Sequence, residues 1–229
     1  TIIVLKIMET KILKIDPKNP EEEKISQAAD VITGGGLVAF PTETVYGLGA
    51  DTLNPDAVKK IFSAKSRPMD NPPIAHVSET EQVRELVKEI PDKARKLMNE
   101  FWPGPLTIIL EKSEKVSSVA SGGLDSIAIR MPQNKIALEL IGKSGCPVSA
   151  PSANLSGKPS PTDAEHVIED LQGRVDMIIR GGGVNIGLES TVLDLTGEIP
   201  VILRPGRITK TQLESVIGEV EENKKEKTD

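Results

Sequence analysis

The sequence is poor in aromatic residues, and this shortage argues against one class of function. Aromatic side chains make up 2% of the 229 residues, and Tyr46 and Trp102 are each the only residue of their kind. Proteins that read single-stranded nucleic acid stack bases on aromatic side chains, so base stacking is not expected as the main function. The hydrophobic core must instead be built from Ile, Val, Leu and Ala.

Cysteine and histidine are also scarce. Cys146 is the only cysteine, which excludes an intrachain disulfide and a cysteine-only metal site. The two histidines, His76 and His166, are far apart and have no cysteine nearby, which argues against structural zinc. Cys146 lies in an apolar run before Pro147 and is predicted to be a core residue. A reducing, cytoplasmic location is the expectation.

The chain has neither an excess of positive charge nor a long apolar run. The net charge of −6 argues against a surface that grips a nucleic-acid backbone, although it leaves room for a local basic pocket. No apolar run approaches the roughly 18 residues of a membrane-spanning helix, so no membrane association is expected. The apolar tetrad 2–5 is too short to span a membrane and lacks a signal-peptide cleavage site, and Met8 is a candidate natural start.

Strand-like and helix-like segments alternate along the chain, which predicts an α/β fold with a twisted, mixed parallel and antiparallel sheet flanked by helices. A single domain is predicted over 10–218, followed by an almost wholly charged tail, 219–229, that should be solvated and poorly ordered. The predicted strands are 12–15, 37–40, 46–53, 73–77, 106–110, 126–131, 147–150, 177–180 and a hairpin of 191–195 with 201–203. The predicted helices are 20–33, a segment between the cap at Asn54 and Pro68, 79–88, 92–101, 133–143, 163–171 and 210–217.

Polar side chains follow the buried strand that ends at Pro41. Thr42, Glu43 and Thr44 come directly after it, and ligands of open α/β sheets bind at the carboxyl ends of strands. A solvated turn with glycines for conformational freedom would explain the same segment.

Two cations, Lys65 and Arg67, close a predicted helix. A lysine supplies a compact charge and an arginine a planar fork that fits phosphate oxygens. Cations at this position also suit the negative end of the helix dipole, which is the structural alternative. The following Asn71-Pro72-Pro73 forces an extended chain and keeps Arg67 and Asn71 near the next strand.

His76 and Arg130 both lie in apolar strands. His76 shares a strand face with Ile74 and is either a core imidazole or a neutral partner for a substrate hydroxyl or amine. Arg130 ends the strand 126–130, where it either reaches to solvent or binds a carboxylate with two hydrogen bonds.

Small polar residues follow further strands. The segment 149–157 exposes backbone N–H groups and leaves room for a ligand, and Ser152 and Asn154 add neutral donors beside the cations Lys65 and Arg67. Together these four side chains suggest a nucleotide-phosphate site without a Walker loop. The segments 189–191 and 204–206 are further polar motifs at strand edges, whereas the glycines 181–183 lack the Lys-Ser/Thr ending of a P-loop.

These motifs resemble one family. The runs P-T-E-T-V-Y-G-L-G at 41–49, K-S-R-P at 65–68, N-P-P-I-A-H at 71–76, A-I-R at 128–130, S-A-P-S-A-N at 149–154 and E-S-T-V at 189–192 look like the YrdC-type threonylcarbamoyl-adenylate synthases. The likeness covers about 20–215, with the motifs in family order. It implies a YrdC-like fold around a concave, positive pocket.

The resemblance also implies a reaction. L-Threonine, bicarbonate and ATP would give threonylcarbamoyl-AMP and pyrophosphate, with Mg²⁺ held by the ATP phosphates rather than by protein ligands. The product would serve threonylcarbamoyladenosine formation in tRNA, which makes tRNA and the downstream threonylcarbamoyltransferase complex expected partners. Longer members carry a C-terminal domain that covers the pocket.

The resemblance assigns roles residue by residue. The catalytic tetrad falls on Lys65, Arg67, Ser152 and Asn154. The threonine site falls on Thr44, His76, Arg130, Ala150 and Ser190. The ATP contacts fall on Lys65, Arg67, Asn71, Ser126, Ser152, Asn154, Ser160 and Arg204. No residue is assigned as a general base.

Two alternative functions stay open at this point. A YciO-like paralogue would keep the architecture and have another activity, and the intact tetrad argues against it. A double-stranded RNA-binding module would use the concave face without catalysis, and the net charge of −6 argues against that.

Overall fold

The computed structural model describes residues 8–184 and 186–223. Within these residues the strands are β1 (Lys11–Lys14), β2 (Val38–Pro41), β3 (Tyr46–Asp51), β4 (Ala75–His76), β5 (Leu106–Glu111), β6 (Ser126–Arg130), β7 (Val148–Ser149), β8 (Met177–Arg180), β9 (Thr191–Asp194), β10 (Val201–Arg204) and β11 (Glu221–Glu222). The helices are α1 (Glu22–Thr33), α2 (Pro55–Lys65), α3 (Thr80–Leu86), α4 (Asp92–Phe101), α5 (Ser118–Ser121), α6 (Lys135–Ser144), α7 (Ala164–Leu171) and α8 (Lys210–Ile217).

The strands form one mixed sheet, in the order β1-β8-β2-β3-β7-β4-β6-β5-β9-β10-β11. The pairs β4–β6 and β5–β9 are parallel, whereas β2–β3, β5–β6 and β9–β10 are antiparallel. The predicted mixed sheet and the predicted hairpin are therefore confirmed. Strands that are distant in sequence become neighbours, and this brings the separate polar motifs together.

Alternation along the buried strands sends side chains to both faces of the sheet. Phe40 of β2 packs with α1 and α6, while its neighbour Ala39 packs with the cluster that contains α2 and α7. A third cluster joins β4, β5, β6 and β9 to α3, α4 and α8. Helices on both faces explain why these strands are almost wholly apolar.

Short side-chain signals set the helix ends that matter for the site. Asn54 caps α2 because its Oδ1 accepts hydrogen bonds from the backbone N–H groups of Asp56 and Ala57, both at 3.1 Å. Pro55 then occupies the first turn, where a missing N–H costs nothing. Helix α2 ends at Lys65, beside the predicted phosphate motif.

The structure corrects two expectations about the elements. The tail prediction for 219–229 is wrong for 219–223, because Val220 is 1% exposed and Glu221–Glu222 pairs with Val201–Ile202 as a parallel strand. The buried Val220 and the backbone hydrogen bonds from Glu221 to Pro200 and from Asn223 to Ile202 hold the chain there. Helix α5 was not predicted, since four residues are too few to show a helical period.

Three further expectations concern the two ends of the chain, Cys146 and membrane-spanning helices. The apolar tetrad 2–5 and the tail residues 224–229 lie outside the described residues. Cys146, predicted to be a core residue, is only half-buried and packs against the edge of the α1–α6 cluster. Of the helices described in 8–184 and 186–223, none is both long and apolar enough to cross a membrane.

Candidate active site

A cavity of about 300 Å³ lies on one face of the sheet. Its floor includes Ile74 and His76 of the β4 segment and Ala128 and Arg130 of β6, and His76 lies opposite Arg130 in register. Residues two apart in a strand point to the same face, so the floor is the face of the sheet rather than the strand ends. The polar segments that follow the strands form the walls.

The cavity brings together most of the predicted site residues. Those that line it are Thr44, Arg67, Asn71, His76, Arg130, Ala150, Ser152, Ser190 and Arg204. Among the described residues, the predicted site residues outside the lining are Lys65, Ser126, Asn154 and Ser160.

Lys65 lies behind the cavity wall and is 1% exposed. Its Nζ donates hydrogen bonds to the backbone carbonyl oxygens of Ser152 and of Asn154, the latter at 2.5 Å, and its own carbonyl accepts from Ser156. Burial, helped by repulsion from Arg67, lowers the pKa of the Lys65 ammonium to about 8. In this conformation Lys65 ties the end of α2 to the loop that carries Ser152 and Asn154.

Arg67 reaches the cavity because the chain reverses at Ser66. Ser66 adopts the left-handed conformation with φ 52°, which is uncommon for a residue other than glycine. Lys65 is therefore directed inward while Arg67 lines the cavity. Arg67 donates from Nε to the carbonyl of Asn71 at 3.1 Å, and burial lowers the pKa of its guanidinium while Glu189 opposes the change.

Asn154 is fixed by its own loop. Its Nδ2 donates to the carbonyls of Leu155 and Lys158, both at 2.8 Å, while its Oδ1 is buried without a hydrogen-bond partner among the described residues.

Ser126 begins the strand that ends at Arg130 and shares a face with Ala128. Ser126 therefore lies on the strand face that forms the floor of the cavity, two residues beyond the lining residue Ala128.

The turn after β2 holds Thr44 against Arg130. Thr42 Oγ1 donates to the carbonyl of Val45 at 2.7 Å and accepts from the N–H of Thr44 at 3.2 Å, which closes the turn. Thr44 is fully buried, and its hydroxyl accepts a hydrogen bond from Arg130 Nη1 at 2.9 Å.

Arg130 is the most deeply held cation of the lining. It is 3% exposed, and its Nε donates to the carbonyl of Gly104 at 3.3 Å. Its Nη2 lies 2.5 Å from Oε1 of Glu43, whose side chain is 6% exposed. The N–H direction does not match the carboxylate, so the contact is an ion pair and not an aligned hydrogen bond. Burial lowers the pKa of the Arg130 guanidinium, and Glu43 opposes this.

His76 presents a neutral imidazole to the cavity. Nδ1 lies 3.0 Å from the carbonyl of Ile74, and the ring meets Phe40 edge-on. Burial, reinforced by the charge of Arg130, lowers the pKa of His76 to about 3, so the ring is uncharged at neutral pH. The two interpretations of this histidine are thus not exclusive, because a buried imidazole also lines the cavity.

A further part of the lining is a hydrogen-bond and ion-pair network around Glu189. This carboxylate accepts from Ser160 Oγ at 3.0 Å and pairs with Arg204 Nη1. Arg204 also donates from Nη2 to Ser190 Oγ at 3.0 Å, and Ser190 contacts Thr107 Oγ1 at 2.7 Å. Ser160 therefore joins the site through Glu189.

Gly206 allows the β10 exit loop to approach the 189–191 segment. A Cβ at this position would lie 2.4 Å from the backbone nitrogen of Thr191 and 2.6 Å from the carbonyl of Glu189. Only glycine fits such a close backbone approach. The glycines 181–183 have a structural role instead, since the Tyr46 hydroxyl donates to the carbonyl of Gly182 at 2.6 Å.

The comparison with protein families adds to this geometry. The family model of the Sua5, YciO and YrdC proteins, described as "Telomere recombination", matches residues 30–206. The chain belongs to this Sua5/YciO/YrdC family.

Named relatives of the family are similar over most of this chain. The threonylcarbamoyl-AMP synthase of Pyrococcus abyssi is 58% identical over 200 residues, which are 87% of this chain and 59% of the relative. The threonylcarbamoyl-AMP synthase of Bacillus subtilis is 53% identical over 210 residues, 91% of this chain and 61% of the relative. The chain thus spans about three fifths of the length of these curated relatives.

Solved structures agree with the fold. P. abyssi Sua5 complexed with L-threonine matches with a TM-score of 0.91 at 55% identity, over 93% of this chain and 62% of that one. Escherichia coli YciO matches with a TM-score of 0.78 at 28% identity, over 86% of this chain and 96% of that one.

The sequence motifs contained two acids to which no role was assigned. Glu43 pairs with Arg130 across 87 positions, and Glu189 joins Ser160 to Arg204. Both lie inside motifs that were recognised as candidates. The position of Glu43 directly after a buried strand was a signal that this acid could have a role. Its partner Arg130 is 87 positions away, and a local sequence pattern cannot identify such a contact.

Proposed function

We propose that this chain, as a member of the Sua5/YciO/YrdC family, catalyses the formation of threonylcarbamoyl-AMP and pyrophosphate from L-threonine, bicarbonate and ATP. The synthase names of its relatives and the threonine complex of P. abyssi Sua5 support this proposal. The observation that carries it is one cavity that combines a buried arginine with two arginines nearer to solvent.

The buried part of the cavity suits an amino acid. Arg130 would bind the carboxylate of threonine with two hydrogen bonds, and Thr44 and Ser190 offer hydroxyls for its polar groups. His76 is uncharged and can accept or donate a hydrogen bond without repelling an ammonium group. Apolar floor residues such as Ala128 leave room for a small side chain.

The more exposed part of the cavity suits a triphosphate. Arg67 and Arg204 line it together with Ser152 and Asn71. In the proposed reaction, the free amine of threonine attacks the carbon of bicarbonate and one bicarbonate oxygen leaves as water. An oxygen of the resulting carbamate then attacks the α-phosphorus of ATP as pyrophosphate leaves. Arg67 would neutralise charge on the leaving group, which is where preorganised cations contribute most. Lys65 would support this step by holding the loop of Ser152.

Mg²⁺ is proposed as a partner of the ATP phosphates. Serine and threonine hydroxyls and the Glu189 carboxylate are the hard oxygen donors of the lining, which are the donor types that Mg²⁺ prefers. The ion supplies charge neutralisation on the phosphates. The tRNA, the threonylcarbamoyltransferase complex and the cytoplasmic location stay predictions.

A YciO-like activity is the second candidate, because YciO shares the fold over 96% of its own length. The higher identity to the two synthases, 58% and 53%, favours the synthase. The two candidates differ in whether both small substrates are required.

Pyrophosphate release from ATP tests the proposal. We expect release only when L-threonine and bicarbonate are both present, and mass spectrometry should then show threonylcarbamoyl-AMP. Omission of either substrate is the matched control. Release that is independent of threonine would contradict the proposed function.

A further inference from the structure

Glu43 is a buried acid to which the proposed mechanism gives no role. Both of its carboxylate oxygens are buried and lack an aligned hydrogen bond among the described residues, and Arg130 Nη2 lies 2.5 Å from Oε1. An unsolvated carboxylate costs free energy, and its attraction to one arginine seldom repays that cost in full. Retention of such a pair at the wall of the cavity is therefore a reason to look for a function.

The pair makes the two parts of the cavity electrically different. Where Arg130 lies, Glu43 cancels the charge of the guanidinium, and the neighbouring His76 is uncharged. In the remaining lining, Arg67 and Arg204 share a single carboxylate, that of Glu189. The buried part is thus neutral in sum, and the rest carries one positive charge.

We propose that Glu43 is a specificity-determining residue that makes the Arg130 part of the cavity accept a zwitterionic amino acid and reject simple anions. The inference rests on the proposed function, because it takes Arg130 as the group that binds the carboxylate of threonine. Glu43 acts through Arg130, since its oxygens are buried and do not line the cavity.

The reason is charge balance in a site with little water. A simple carboxylate or a phosphate at Arg130 would leave the buried part with a net negative charge. A zwitterion brings an ammonium group with its carboxylate and leaves the sum at zero. Phosphates of ATP are directed by the same rule to the part that holds Arg67 and Arg204.

The first experiment uses the unchanged full chain and calorimetry. L-Threonine and its analogue without the amino group, 3-hydroxybutyrate, are titrated separately, and inorganic phosphate is then added as a competitor. We expect phosphate to weaken ATP binding and to leave threonine binding unchanged. Phosphate that displaces threonine as readily as it displaces ATP would overturn the inference without any variant.

The second experiment repeats these titrations with Glu43→Gln. The amide keeps the size and shape of the Glu43 side chain, but the guanidinium charge of Arg130 is no longer cancelled. We expect the preference for threonine over 3-hydroxybutyrate to fall by at least about tenfold, which is the interaction of two unit charges about 12 Å apart at an effective dielectric constant of about 20, and a shorter separation would give a larger loss. Phosphate should now displace threonine, and Glu43→Asp should restore the preference.

Glu22→Gln is the matched control, because Glu22 forms an exposed ion pair with Lys143. It should keep the preference of the unchanged chain. If Glu43→Gln keeps the full preference for threonine over 3-hydroxybutyrate, the role given to Glu43 is wrong, but the proposed function is not affected. Failure of the unchanged chain to bind threonine overturns both.

Discussion

The two parts of the cavity hold their arginines in different ways. Arg130 is 3% exposed, and each of its guanidinium nitrogens meets a protein group, Gly104, Thr44 or Glu43. The Arg204 side chain is 37% exposed and pairs with a Glu189 side chain that is 38% exposed. Buried pairs are costly to break, whereas exposed pairs contribute little to stability.

This difference separates a fixed subsite from an adaptable one. Around Arg130 the groups are already in place before a ligand arrives, so binding costs little reorganisation there. Arg67 and Arg204 lie nearer to solvent, so in the proposed reaction they would adjust more easily to the phosphates as pyrophosphate leaves. Under that proposal, the same residue type would serve orientation in one part and charge neutralisation in the other.

Removal of Arg130 should have the largest effect. Arg130→Ala leaves Glu43 buried without its partner, so the free energy of unfolding should fall by about 3–5 kcal/mol. Threonine binding should be lost, while ATP affinity stays nearly intact. Urea unfolding and calorimetry measure the two quantities.

Arg204→Ala is the comparison that could break this account. Because its ion pair is only half-buried and the Ser190 hydroxyl keeps its contact with Thr107, the expected loss of stability is smaller, about 1–2 kcal/mol. Equal losses of stability for the two alanine variants would show that burial does not distinguish the two parts.

The burial of Lys65 should make the free energy of unfolding depend on pH. Its pKa is about 8 in the folded chain and 10.5 as the ordinary value, so between these pH values the unfolded chain binds more protons. Stability from this group is therefore lowest below pH 8 and rises towards pH 10.5. Relative to Lys65→Met, the unchanged chain should gain about 3 kcal/mol across that window.

Lys59→Met is the control, since Lys59 forms an exposed pair with Asp56. Measuring its free energy of unfolding at the same pH values separates the effect of burying Lys65 from the general effect of replacing a lysine by methionine. If the difference in free energy of unfolding between the unchanged chain and Lys65→Met stays constant from pH 8 to pH 10.5, the Lys65 ammonium is not buried as it is in the structure.

Arg67→Ala should act on ligand binding rather than on folding. ATP affinity should weaken by about 1.5–3 kcal/mol, the range for hydrogen bonds to charged groups. The free energy of unfolding should change by about 0.5 kcal/mol or less, because the side chain is only partly buried. Unchanged ATP affinity in calorimetry would remove Arg67 from the phosphate site.

The smallest effect is expected for Ser66→Gly, at the residue that positions Arg67. Ser66→Gly relieves a left-handed conformation that costs about 1–2 kcal/mol, but it also makes the unfolded chain more flexible, so the net change should be small. Ser66→Val should destabilise the chain clearly, because a β-branched residue fits φ 52° poorly. Equal stability of the two variants in urea would contradict the assigned backbone conformation.

Local pattern predicted most elements because their signals are local. Asn54-Pro55 started α2, and the alternation of apolar residues in 126–130 predicted β6 with Arg130 at its end. The spacing of Ile74 and His76 even placed them on one face. That this face is the floor of a cavity depends on the order of the strands, which no local pattern contains.

The unpredicted features of the site are long-range contacts. Lys65 was expected to face phosphates, but carbonyls nearly 90 positions away take its hydrogen bonds. Glu43 meets Arg130 only because the turn after β2 is folded against the end of β6. Sequence motifs therefore predicted most of the cavity lining, while its division into a neutral and a positive part required the structure.

A structure of the full chain with L-threonine and ATP together tests the central claim most directly. The account predicts the threonine carboxylate within hydrogen-bond distance of Arg130 and the triphosphate against Arg67 and Arg204. A triphosphate bound at Arg130, or threonine bound away from it, would contradict the account.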